Sequence, residues 1–171
     1  MKRLLIALAL LLLCALPYFG QTAQKELTND WKESAKQLIA MAEAMPAEKY
    51  GFKPTPEVRS FGEQVKHVAG GILLLINSAQ GKHDLAIEQT YAKRQTKDEI
   101  MAGLREAFDQ GQAAINKLTE KSRAEIIDSP FVGKMSRANI FNHTLMHNGE
   151  HYGQMVVYLR LNGIVPPASR R

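Results

Sequence analysis

The sequence predicts an all-α protein built as a four-helix bundle. Apolar residues recur at helical spacing in four separate stretches, helix-capping signatures stand at their starts, and proline- or glycine-bearing connections divide them. Strand signal is slight. At 171 residues, 45% of them apolar and 23% charged, the chain is long enough for one sizeable core and too apolar for wholesale disorder.

The N-terminal segment reads as a leader. Lys2 and Arg3 supply positive charge, residues 4–16 are an unbroken apolar run, and Pro17 precedes small or polar residues up to Ala23. That is the order of a secretory signal peptide. The run falls short of the ~20 residues that span a bilayer. The expected organisation is therefore a cleaved leader over 1–23 and one domain over 24–171, periplasmic or secreted, with no stable membrane anchor after cleavage. Cys14, the single cysteine, lies in the leader. The mature chain then has neither disulfide nor thiolate, and a metal would be held by nitrogen and oxygen.

The first helix is expected over about residues 27–45, where Trp31, Ala35, Leu38, Ile39 and Ala42 share a face, and Pro46 marks its end. Pro54 and Pro56 make the following connection extended. The second helix opens at Ser60, whose spacing to Glu63 is that of a capping box, and runs to about Ala79. Gly70-Gly71 weakens its middle and permits either a close approach or a kink. Residues 80–95 are polar and loop-like, with room for one short helical turn. The third helix opens at Thr96, with Glu99 three residues on, and carries Ile100, Leu104, Phe108 and Ile115 to an end near Glu120. An irregular stretch containing Ser129-Pro130 and Gly133 follows. The fourth helix starts from Ser136, passes Gly149 and Gly153, and stops at Asn162-Gly163 before Pro166-Pro167.

Charge narrows the function. The net value of +5, from 22 basic and 17 acidic residues, is scattered along the chain. No basic stripe alternates with aromatic residues, so nucleic acid is not an expected partner. The histidines are more informative. His143, His147 and His151 stand four apart on the fourth helix. At about 100° per residue, each imidazole lies nearly above the last. A pair at i and i+4 can converge on one metal ion but needs a third ligand from elsewhere. His67, among Val65, Val68 and Ala69 on the second helix, is the natural supplier. Three nitrogen ligands leave a coordination position open. Taken singly, each histidine is more readily explained as a hydrogen-bonded core residue or a solvated one.

The segment His147-Asn148-Gly149-Glu150-His151-Tyr152-Gly153-Gln154, with Arg160, Gly163 and Pro166-Pro167 beyond it, resembles the C-terminal helix of the DinB/YfiT-like family, where H-x-x-x-H-x-G-Q precedes an apolar stretch. Residues 60–69 resemble that family's second helix, in which one histidine follows a loop carrying prolines. The resemblance spans essentially the whole mature chain. It implies up-down-down-up connectivity, frequent homodimers, and a site for one divalent ion with His67, His147 and His151 as ligands. Zinc or nickel is the expected metal; imidazole also suits iron and copper. Family members include thiol-dependent transferases and isomerases, so the resemblance points to a site more firmly than to a substrate.

The remaining polar residues near these positions have competing readings. Glu63, one turn before His67, is a candidate proton acceptor, but its capping role comes first. Gln154 and Tyr158 share the face of His151 and could contact a ligand; helix pairing and core packing explain them equally well. His143 reads as a pocket-edge or solvated residue and His83 as a solvated one. Asn148 occupies the place that a glutamate holds in H-E-x-x-H zinc proteases, which disfavours that class. The expectation is an exported, metal-dependent enzyme that acts on a small molecule through bound water or a bound substrate, by hydrolase-like or thiol-transferase-like chemistry. The alternatives are a non-catalytic metal- or small-ligand-binding bundle and a structural interaction protein with incidental histidines.

Overall fold

The computed structural model describes the backbone of residues 2–170 and the side chains of residues 22–170. All but the last two positions of the expected leader, Cys14 included, lie outside the residues whose side chains are described.

Four long helices make the bundle: α1 (Lys2–Ala44), α2 (Phe61–Ala79), α4 (Lys97–Asn116) and α6 (Arg137–Leu161), with short α3 (Ala86–Ala92) and α5 (Glu120–Ala124) in the connections. Helices α1 and α2 each pack against α4 and α6, which places them on opposite corners of the bundle. Side-chain pairings give the directions. Trp31 meets Phe141 and Ser34 meets Asn148, so α1 and α6 run parallel. Gln24 bonds the Ile115 carbonyl while Lys97 bonds that of Met45, so α4 runs against α1. Gln64 reaches His151 and Arg137 reaches the Ala79 carbonyl, so α2 runs against α6. This is the up-down-down-up order.

The core follows the apolar stripes. Trp31, Leu38, Phe61, Ile72, Leu104, Ile115, Phe141 and Met155 are almost wholly buried. Trp31 packs edge-on against Phe108 and Phe141, and its indole N–H donates to the Phe108 carbonyl at 3.0 Å, so the largest apolar group leaves no polar atom unsatisfied. Both expected capping boxes form, Ser60 with Glu63 on α2 and Thr96 with Glu99 on α4. The N-cap of α6 is Ser136, and Gly163 adopts a left-handed φ of 72° just past the helix end, a conformation glycine takes without steric cost.

Three stretches differ from expectation: α1 begins at Lys2 and runs on unbroken past residue 27, where the first helix was expected to start. The third long helix ends at Asn116 instead of near Glu120, because Thr119 and Ser122 cap a separate turn, α5. Residues read as irregular form an antiparallel hairpin of β1 (Ile126–Ser129) and β2 (Gly133–Ser136). Ser129 ties it to the bundle: its hydroxyl accepts from Ser78 at 2.7 Å, and both side chains are buried. Strands of four residues, half of them exposed, carry too little alternation to be read from sequence.

Candidate metal centre

The centre lies where α2 and α6 face each other. On α2, Gln64, His67 and Gly71 recur at helical spacing on one side; on α6, His147, His151 and Gln154 do the same. Because the helices are antiparallel neighbours, the two sets meet. One nitrogen from each of His67, His147 and His151 lies within 4.8 Å of the others. The rings sit at centroid distances of 5.4 Å (His67–His147), 4.8 Å (His67–His151) and 4.3 Å (His147–His151).

The glycine pair on α2 makes this approach possible. A Cβ on Gly71 would stand 2.9 Å from Cε1 of His147, closer than side chains pack, so the missing side chain is the space the imidazole fills. A Cβ on Gly70 would press on Cα and Cγ of Glu88. The pair therefore serves close approach, the first of the two roles open to it from sequence: it seats α6 on one side and α3 on the other.

Glu88 is the residue that sequence reading missed. Its Oε1 lies 2.9 Å from His67 Nδ1. An ionised carboxylate only accepts, so His67 Nδ1 carries the proton and donates, and Nε2 keeps its lone pair. Carboxylates of this kind fix the tautomer and orientation of metal-binding histidines. At His151, the Gln64 amide nitrogen is 2.5 Å from Nδ1 and also donates to Gln154 Oε1. Gln154 Oε1 is itself 3.3 Å from His151 Nδ1, placed to accept when that nitrogen is protonated.

The electrostatics suit a cation. His147 Nε2 and His151 Nε2 face each other at 3.0 Å. Because the Gln64 amide nitrogen can only donate to His151 Nδ1, the neutral His151 ring carries its proton on Nε2 and donates it to His147 Nε2; a bound metal ion would take that proton's place. Burial, reinforced by the neighbouring imidazoles, lowers the pKa of His147 to about 4. Burial and then the proximity of His67 lower that of His151 to about 4. At neutral pH both rings are thus uncharged, the form that ligates metal. The three histidines could hold a metal ion, and the donor set is all nitrogen.

The other expected positions fall elsewhere. Glu63 Oε2 accepts from the Ser60 backbone N–H at 2.7 Å and pairs with Lys53 at 3.3 Å. The Ser60 bond, foremost, holds the Glu63 carboxyl below the ordinary carboxylate pKa, which makes it a weak proton acceptor. Tyr158 packs on Phe52 and Phe61 and donates its hydroxyl to the Arg59 carbonyl at 2.6 Å. Buried Asn148 bonds Ser34 on α1 at 3.2 Å. Neither His143 nor exposed His83 belongs to the cluster. Gln64 was within reach of sequence reading, three residues before His67 on the same face. Glu88 was not, because α3 is only seven residues long and no local spacing links it to a histidine 21 positions earlier.

Beside His67 opens a cleft of about 430 Å³ lined by Lys53, Glu57, Arg59, Glu63, Lys66 and Glu88 among others. A volume of that order accommodates a small molecule.

The family model of the DinB family matches residues 20–170. The chain belongs to the DinB family. Among solved structures, a DinB-like protein from Bacillus cereus is similar with a TM-score of 0.72 and 20% identity, covering 84% of this chain and 95% of that one. A DinB-like protein from Bacillus subtilis has a TM-score of 0.68 at 21% identity, covering 85% and 99% of the two chains. A mutant of mycothiol-dependent maleylpyruvate isomerase has a TM-score of 0.67 at 9% identity, covering 77% of this chain and 60% of the other. These likenesses show that the DinB bundle is shared. A comparison with curated proteins finds no match.

Proposed function

We propose that this DinB-family protein binds one divalent metal ion through Nε2 of His67, His147 and His151 and uses it as an enzyme on a small-molecule substrate. The observation that carries the reading is the convergence of three imidazoles from two helices, two of them facing each other nitrogen to nitrogen at 3.0 Å. A divalent ion with an open coordination position would supply Lewis-acid polarisation and lower the pKa of a bound water or thiol. The protein's own residues prepare for it. Glu88 orients His67, Gln64 and Gln154 hold His151, and Gly71 leaves room for His147. Imidazole donors suit zinc, nickel, iron and copper alike; the family resemblance favours zinc or nickel. The mycothiol-dependent isomerase among the similar structures supports thiol-dependent chemistry, while export under the leader expected over residues 1–23 supports hydrolysis, because low-molecular-weight thiols are scarce outside the cytosol. We place the mature protein in the periplasm or secreted medium on the strength of residues 1–23.

Elemental analysis of the purified protein tests the site. The reading expects one equivalent of a transition metal or zinc per chain, and turnover of a hydrolase or thiol-transfer substrate that stops when a chelator removes it. A second reading, metal or ligand binding without turnover, is favoured by one observation: Glu63, Gln154 and Tyr158, the candidate reactive side chains, are all engaged in other hydrogen bonds. Full metal content with no turnover of either substrate class would select it.

A further inference from the structure

The cleft beside His67 is lined by three basic and three acidic side chains, Lys53, Arg59 and Lys66 against Glu57, Glu63 and Glu88. Nearly all of this charge is committed. Lys53 pairs with Glu63 at 3.3 Å. Lys66 spends its ammonium on the carbonyls of Ala92 and Arg94, at 2.9 and 3.2 Å, where it closes the end of α3. Glu88 accepts from His67. Glu57 accepts from Thr55 and from its own backbone N–H, and these bonds hold its pKa below the ordinary carboxylate value.

Arg59 is the exception. Among the described residues its guanidinium has no hydrogen-bond acceptor and no ion-pair partner. Its backbone, by contrast, is fixed: the Tyr158 hydroxyl donates to the Arg59 carbonyl at 2.6 Å, and Ser60, the next residue, caps α2. Arg59 lines the same cleft as His67, and the Tyr158 bond holds its backbone against α6. A pinned backbone carrying an unspent planar fork of donors, in the cleft that His67 borders, is an arrangement for gripping a planar anion in two-pronged fashion.

We propose that Arg59 is the residue that selects the substrate, by pairing with a carboxylate on a small molecule whose other end reaches the metal held by the three histidines. The proposal rests on the metal-centre reading above. It assigns a substrate class, small carboxylic acids carrying a second, metal-seeking group, and leaves the metal-ligand set as already described.

Two probes separate the two claims: the monohydroxamate of succinic acid, which ends in a free carboxylate, and the same hydroxamate ending in a primary amide. Both would be titrated calorimetrically into zinc-loaded protein at near-physiological salt, with zinc content measured on the same samples. The carboxylate probe is expected to bind about tenfold tighter than the amide, the scale of one charge-assisted bidentate pair. In Arg59→Gln that preference should fall to about twofold or less at unchanged zinc content, and Arg59→Lys should keep part of it. Because the Arg59 side chain is exposed, neither substitution removes packing from the core. Zinc bound with no carboxylate preference, or a preference unchanged in Arg59→Gln, would overturn the role of Arg59 and leave the metal centre standing. A wild-type protein that binds no zinc would overturn both.

Discussion

Glu88 and Gly71 do for the histidines what no ligand does for itself: one fixes a tautomer and the other vacates a volume. Replacing Glu88 with Gln keeps the size but weakens the hydrogen bond to His67 Nδ1, and changes of this kind cost about 10–100-fold in metal affinity. Competition against a chelator of known affinity would measure the loss, with circular dichroism expected to stay unchanged. In Gly71→Ala the new methyl meets His147 Cε1 at 2.9 Å, so the ring must move and metal affinity should fall while most of the helix content remains. The rings of half-buried His147 and buried His151 predict a pH dependence for the metal-free protein. In the folded chain His147 and His151 have pKa values of about 4 against an ordinary 6.5. Below about pH 6.5 the unfolded chain takes up protons that the folded chain resists, so stability falls as pH drops from about 6.5 towards 4. Urea denaturation midpoints at pH 7 and pH 5 would show the drop. The His147→Gln/His151→Gln double variant should flatten it.

At the scale of helices, the start of α2 decides what Glu63 is for. The Ser60–Glu63 capping box satisfies two backbone N–H groups that a helix start otherwise leaves open. Ser60→Ala is expected to cost about 1 kcal/mol of stability. Glu63→Gln should cost less, and should leave metal content and any turnover intact; a collapse of turnover at full metal content would show instead that Glu63 acts in the chemistry. This capping box was legible in the sequence, as were Thr96–Glu99, the Ser136 start and the Asn162-Gly163 stop, because each depends on residues three or four apart. The i, i+4 histidine pair was legible for the same reason. What could not be read depends on contacts between segments far apart in the chain. Glu88 stands on a seven-residue helix within a polar stretch, and the hairpin gains its place through Ser129 meeting Ser78, 51 residues away. The Gly70-Gly71 pair lay between: its presence was plain, but its purpose needed the neighbours it admits.

For the whole molecule, the parallel packing of α1 on α6 and the antiparallel meeting of α2 with α6 bring the second and fourth long helices together at the histidine cluster. The DinB fold thus supplies a site from two helices distant in sequence, with the cleft walled on one side by α2 and otherwise by the 53–59 connection and α3, segments whose length and composition can change without disturbing the core. Specificity differences among such bundles are then expected to reside there, with Arg59 as the position to compare first in this chain. Everything proposed for the cleft depends on the three-histidine cluster holding a metal. Elemental analysis of purified wild-type protein beside His67→Ala, His147→Ala and His151→Ala tests it most directly. About one metal equivalent per wild-type chain is expected, with loss of most of it in each variant while the fold is retained. A folded wild-type protein that takes up no divalent metal, or metal content unchanged in all three variants, would contradict this.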